Sequence, residues 1–404
     1  MTAPFLSVAR LADAEFRAVR RRAIFDCCKW DPQVEDVCTL SRAPLVTTPE
    51  AWHELSRLAE SLARETLAAE AELLERPDLH RDLALPRAVV GALGEARRVG
   101  ATRGAARLIR FDFHHTSAGW RISEANSDVP GGINEASGFP LLVAPHYRGT
   151  APAGDPAGVY VEALLAAAPP RPRVALLHAT SYSDDLQMMA YLARRLESAG
   201  AQPVLASPAH IRWRDGLAFH DGRPLDLAVR FFPGDWLADL PREAGWQRYY
   251  AGGRTPVSNP AAALLTQNKR WPLAWDRMRT PLPAWRSLLP ETRDPREVPW
   301  RNDCDWVVKP ALGRVGEDVA MAGLVSEKDW KRISRDCARY PGHWVAQRRF
   351  DVAPLEIEGR PCYPCVGVYT VDGRVAGAYG RLAPRPLIDG RAEDAAVLVG
   401  AGAA

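Results

Sequence analysis

No stretch of this chain stays apolar for the roughly 18 residues that a membrane-spanning helix needs, so no bilayer span is expected. Lysine and arginine never run to five in a row, and the net charge is only +3. A nucleic-acid surface concentrates positive charge, so none is expected here. Residues 1–13 lack a basic start followed by an apolar core, which argues against a secretory leader and for a cytoplasmic protein. The seven cysteines are odd in number and unevenly spaced, which excludes a regular disulfide framework. Cys362-Tyr-Pro-Cys365 is a C-x-x-C, but no second pair completes a zinc site. The residues after Cys365 read as a strand, not as the helix of a thiol redox site, so the pair is read as structural. The phosphate-binding pattern G-x-x-x-x-G-K-[ST] is absent as well.

What is present is an ordinary globular composition, 47% hydrophobic and 25% charged, over 404 residues. That length suits two or three domains with ample core. The stretch 110–135 organises the rest. Residues 108–113 and 120–124 alternate apolar with polar side chains, and 116–119 is turn material, so the pattern predicts a β-hairpin. With the turn centred near Ala118, Asp112 faces Glu124 and Arg110 faces Asn126 on one side of the sheet. Two opposed carboxylates repel, and a divalent cation removes that cost. Two carboxylates and an amide are hard oxygen donors that suit Mg²⁺. Ordinary charges on a solvated hairpin face remain the competing reading. Only one of His114 and His115 can face the same side.

Upstream, Thr48 with Pro49 reads as the start of a long helix that runs to about Arg76, and 87–99 reads as a second helix. Residues from Pro140 to Tyr147 are expected to leave the hairpin region. A Gly/Ala/Pro-rich stretch over 149–173 marks a boundary. Strand 174–178, helix 184–198 and strand 203–207 then form a strand–helix–strand unit, which implies a parallel sheet with its ligand edge at the carboxyl ends of the strands. Asp184 and Asp185 lie on that edge, where they could meet a cationic amine. Alternatively, Ser183 or Asp184 caps the helix. Trp306 to Pro310 reads as a strand ending in Lys309, followed by a glycine-bearing loop; 327–338 reads as a helix, and 363–379 as a hairpin turning at Asp372-Gly373. A lysine beside such a loop can reach phosphates, although Lys309 or Lys269 taken alone could equally be a rim lysine.

Taken together, these motifs resemble the synthetase part of glutathionylspermidine synthase and its relatives, an ATP-grasp family of carboxylate–amine ligases. Arg110-Phe-Asp112 and Glu124-Ala-Asn126 reproduce the family's core spacing. Asn134-Glu135-Ala136, the Phe231 to Trp236 segment, Gln267-Asn268-Lys269, the run from Lys309 through Gly313-Arg314-Val-Gly316-Glu317, and Ala346-Gln347 resemble further family elements. The metal motif precedes the lysines, the permuted order that this family shows. The resemblance implies an α/β (α+β) fold: an ATP-grasp with permuted motif order plus a pre-ATP-grasp parallel α/β domain. It divides the chain into 1–150, a helical segment with the metal hairpin; 151–258, the α/β substrate domain; and 259–404, the ATP-binding part. No amidase domain is expected ahead of it.

It also implies roles. Asp112, Glu124 and Asn126 would hold Mg²⁺, and Arg110 would stabilise the transferred phosphoryl group. Lys269, Lys309, Gly313, Arg314, Gly316 and Gln347 would bind ATP. Asp128, Glu135, Asp184 and Asp185 are the substrate-side candidates. The expected reaction joins a small carboxylic acid to an amine through an acyl-phosphate, releasing ADP and phosphate. A non-catalytic nucleotide- or metabolite-binding relative and a small-molecule kinase are the alternatives. The chain departs from the pattern at Val129-Pro-Gly131-Gly132, where members using glutathione carry small hydroxyl residues, and at Arg348, where they tend to carry Glu. The acid and the amine are therefore left open, as is the oligomeric state.

Overall fold

The computed structural model describes residues 3–34, 37–99, 106–314, 316 and 318–401. Val315 and Glu317 of the glycine-bearing loop lie outside the described residues. The fold is mixed α/β, with parallel and antiparallel sheets.

The hairpin forms from strands Leu108–Thr116 and Gly119–Asn126, with Arg110 paired to Asn126 and Asp112 to Glu124. Its turn is tighter than the alternation alone suggests, because Thr116 pairs directly with Gly119. The register is recovered by an irregularity between Asp112 and Phe113 that leaves Ser123 as the extra residue. A bulge of this kind lets two residues oppose one. Without it Glu124 would turn to the other face.

The hairpin is one edge of an antiparallel sheet. Next to Leu108–Thr116 lies Arg360–Val371, then Arg374–Ala383, then Glu393–Ala395. Strands from the first and last thirds of the chain are thus direct neighbours. One face of this sheet buries Phe111, Phe113, Ile122, Val366 and Val368, against the long helix Pro49–Glu75. Thr48 caps that helix, accepting a bond from the Ala51 amide at 3.2 Å. Trp285 packs edge-on against Phe111 at 6.1 Å and donates to Thr66 Oγ1 at 3.0 Å, which fixes the helix to the sheet. The other face carries the polar residues of the hairpin into a cavity.

The expected strand–helix–strand unit is a four-stranded, all-parallel sheet in the order Val257–Ser258, Leu227–Arg230, Arg173–Leu177, Gln202–Ala206. Helix Ser183–Ser198 makes the crossover and ends before Gly200, which has φ +89°. It carries no side-chain cap: Tyr182 is the N-cap residue, and neither Ser183 nor Asp184 closes the first turn, contrary to the capping alternative. A smaller antiparallel sheet holds Trp306–Pro310 between Trp344–Arg348 and Ala320–Met321, and helix Glu327–Arg339 buries Ile333 and Cys337 in the same core as Trp306 and Val308. Residues 133–143, to which the sequence pattern assigns no element, are a helix with Pro140 inside it. Nearly every residue of this helix is buried, so it shows no amphipathic stripe for the sequence to reveal. No helix among the described residues is long and apolar enough to cross a membrane.

Candidate active site

The polar hairpin face, the carboxyl edge of the parallel sheet and the smaller antiparallel sheet enclose a single cavity of about 720 Å³. Arg110, Asp112, Glu124 and Asn126 form its floor. Alternation along the two strands, corrected by the bulge, puts all four on one side.

The acidic pair is neutralised from both flanks. Arg110 donates from Nε and Nη2 to the two oxygens of Asp112 at 2.7 and 2.9 Å. Its Nη1 donates to the Gly131 carbonyl at 2.6 Å, and its guanidinium lies over the Tyr379 ring at 5.2 Å. Asn126 Nδ2 donates to Asp112 Oδ2 at 3.1 Å. Lys269 Nζ sits 3.0 Å from Glu124 Oε2 and donates to the Gly313 carbonyl at 2.8 Å. Burial pushes the Glu124 carboxyl up, but Lys269 and then Lys309 outweigh it and hold the group below the usual range. Asp112, Glu124 and Asn126 thus present only hard donors, and a half-turn of the Asn126 amide would offer its oxygen. That set fits a divalent cation such as Mg²⁺.

Lys309 is a buried cation rather than a rim lysine. It donates to Gln347 Oε1 at 2.7 Å and to the Ser123 carbonyl at 3.2 Å. Burial lowers its pKa to about 8; Glu124 works against this shift and Lys269 adds to it. His114 also faces the cavity, its Nε2 3.1 Å from Ser123 Oγ and its ring against Phe350 at 5.3 Å. Burial, with the Lys309 charge, pushes its pKa down to about 4, so it is neutral. His115 points the other way, against Trp120.

Across the cavity, Arg314 pairs with Asp235 and stacks over Trp236 at 5.0 Å, so the glycine-bearing loop reaches the Phe231–Trp236 segment. Gly313, Gly316, Gln347, Glu135, Asp184 and Asp185 also line the space. Asp128 does not join them. It is fully buried, accepts from the Gly234 amide at 2.8 Å and pairs with Arg230, whose side chain is equally inaccessible.

Gly367, like Lys29, Tyr379 and Arg381, escaped the sequence reading although it lines the cavity. Gly367 pairs with Asp112 across the sheet, and a Cβ placed on it would meet Arg110 Cδ at 2.7 Å and Asp112 Oδ1 at 2.9 Å. The available signal was a glycine inside an otherwise apolar strand, which marks a close approach. Gly367→Ala is expected to keep the fold but displace this pair and lower kcat/KM for ATP-dependent turnover about 100-fold. An unchanged kcat/KM would show that the pair tolerates displacement.

No protein of curated function matches the chain in sequence. Among solved structures, one from Methylobacillus flagellatus KT, bearing the provisional name gamma-glutamylcysteine synthetase, is 13% identical over 88% of this chain and 89% of its own, with a TM-score of 0.45. The model of the family described as glutathionylspermidine synthase preATP-grasp matches residues 41–393. The chain belongs to the glutathionylspermidine synthase pre-ATP-grasp family.

Proposed function

We propose that this protein is an ATP-dependent carboxylate–amine ligase that makes an amide through an acyl-phosphate and releases ADP and phosphate. The observation that carries this reading is the convergence of Asp112, Glu124, Asn126 and Arg110 from the hairpin and of Lys309 from the smaller sheet on one cavity, with Lys269 paired to Glu124 at its margin. In-line phosphoryl transfer needs little covalent help from the protein and much charge neutralisation and positioning.

In this reading Asp112, Glu124 and Asn126 hold Mg²⁺, which when bound would neutralise phosphate charge. Lys269 and Lys309 exchange their present partners, Glu124 and Gln347, for phosphate oxygens. Arg110 holds the acid substrate's carboxylate for attack on the γ-phosphate and then steadies the acyl-phosphate. Gln347 lies toward the adenine. The Gly313–Gly316 loop, already reaching Trp236 through Arg314, excludes water from the acyl-phosphate. Asp184 and Asp185 receive the amine, which displaces phosphate. The Val129 to Gly132 segment offers backbone in place of hydroxyls: the Gly131 carbonyl is taken by Arg110 and Tyr369. Glutathione is accordingly not assigned as the acid.

The deciding assay is ADP release with Mg-ATP across free amino acids, small peptides and diamines, with mass detection of a condensed product. A product one water lighter than its two parents supports the ligase. A stable phosphoester, or no hydroxamate when hydroxylamine replaces the amine, refutes it.

The amine end carries its own pH signature. Burial, reinforced by Asp184 and opposed by the Ala179 amide, raises Asp185 to about pH 7. Below that pH the group is neutral and attracts a cation poorly. KM for the amine should therefore fall as pH rises through about 7, and Asp185→Asn should flatten the profile. The stability effect has the opposite sign. A folded-state pKa above the unfolded one stabilises at low pH, and that contribution disappears as pH climbs from 3.8 toward 7. An amine KM that is flat with pH in the native protein would remove Asp185 from the amine site.

A further inference from the structure

The cavity extends past Arg110 to a wall that includes residues outside the 41–393 span matched by the family. Lys29 and Thr39, both from the N-terminal segment, line it. Lys29 Nζ lies 2.5 Å from Glu135 Oε1 and 3.2 Å from Asp394 Oδ2. Asp394 in turn accepts from the Tyr379 hydroxyl at 2.5 Å and lies 3.7 Å from Arg381 Nε. Charges thus alternate along a buried chain: Glu135, Lys29, Asp394, Arg381.

The ends of this chain are unfinished. Glu135 is 8% exposed, and its Oε2 has no hydrogen-bond partner. At the other end Arg381 Nε has none, and Thr39 Oγ1 beside them is also unpaired. Buried polar atoms without partners are costly and uncommon. The unpartnered atoms of the two charged groups are of opposite kinds, an acceptor on Glu135 and a donor on Arg381, whose Nη2 already donates to the Asp389 and Ala392 carbonyls. A ligand offering one ammonium and one carboxylate would complete both. The wall is also close to the reacting centre: Tyr379 carries Arg110 over its ring at 5.2 Å and bonds Asp394 through its hydroxyl. One tyrosine ring separates the two.

We propose that Lys29 is a specificity-determining residue of this cavity and that, with Glu135 and Arg381, it reads the α-amino-acid head of the acid substrate, whose second carboxylate reacts beside Arg110. This rests on the ligase reading for which carboxylate reacts, but the recognition of a zwitterion does not need turnover. Glu135 takes the ammonium, while Lys29 and Arg381 take the head carboxylate. An acid lacking either group leaves Glu135 Oε2 or Arg381 Nε without a partner and binds more weakly.

The test is calorimetric binding of the free amino acids, followed for the tightest binder by its desamino and decarboxy analogues. Loss of either head group should weaken binding about 30-fold or more. Lys29→Met should weaken the amino acid by a similar factor and leave ATP affinity unchanged, with Lys29→Arg restoring part of the loss. A purely structural Lys29 would instead move both ligands together, and that result overturns the proposal. So does equal affinity for the desamino analogue, or no binding by any amino acid. If Lys29→Met does not fold, Thr39→Val and Glu135→Gln carry the same comparison. ADP release on the same samples separates the two claims: zwitterion-selective binding without turnover sinks the ligase and keeps this inference, whereas turnover with an acid lacking an amino group does the reverse.

Discussion

Glu124→Gln and Asp112→Asn should each lower ATP-dependent turnover by at least about 1,000-fold, equivalent to about 4 kcal/mol of transition-state stabilisation. Both changes keep the side chain's shape and remove its charge. Glu124 now balances Lys269 and shares the field of Lys309, so its loss leaves both cations without the carboxylate between them. Asp112 holds Arg110 through two hydrogen bonds, but Arg110 retains the Gly131 carbonyl and the Tyr379 ring. The fold should therefore survive in both variants, as read by circular dichroism and thermal melting. ADP release in Mg-ATP gives the activity. Turnover persisting in both variants would take the metal assignment away from this hairpin.

Asp128→Ala should show the converse, a loss of stability of about 3–5 kcal/mol. Neither Asp128 nor Arg230 exposes any side-chain surface, so removing the carboxylate strands a guanidinium that has only the carbonyls of Asn259 and Phe232 left to bond. With typical domains stable by about 5–15 kcal/mol, that is a large fraction of the total. The midpoint of urea unfolding measures it. A shift worth less than about 1 kcal/mol would mean that the pair is solvated or dispensable. The two experiments also separate carboxylates that stand close together in sequence: Asp112 and Glu124 serve the cavity, whereas Asp128 ties the end of the hairpin to the parallel sheet.

That distinction marks the limit of what the chain's letters disclose. The alternation on both sides of a short turn was enough to face Asp112 with Glu124, because side-chain direction in a strand is a local, period-two property. The bulge at Ser123 was not legible, since it depends on how the strand pairs. The helix over 49–75 announced itself through its cap and periodic leucines, and a second helix over 87–99 was expected as well. The 133–143 helix did not, because burial on all sides erases the stripe and Pro140 argues against a helix. Gly367 entered the site only through pairing with a strand more than 250 residues away in sequence, and Tyr379 and Arg381 followed it on the next strand, which no local pattern encodes. Lys29 was invisible for a related reason: a single lysine beside Trp30 carries no motif.

The placement of Arg360–Val371 directly against Leu108–Thr116 has a temporal consequence. During synthesis the hairpin and most of the carboxylate set emerge long before their neighbouring strand exists. Until it arrives, Leu108–Thr116 has an open edge, and Asp112 and Arg110 lack the backbone of Gly367 beside them. Pairing over so many residues closes a very long loop and is slow. The nascent chain must therefore carry an exposed, charged strand edge through most of translation, and the arginine, aspartate and histidines along it discourage other chains from adding to that edge in the interval. The cavity itself is complete only after the last third has left the ribosome.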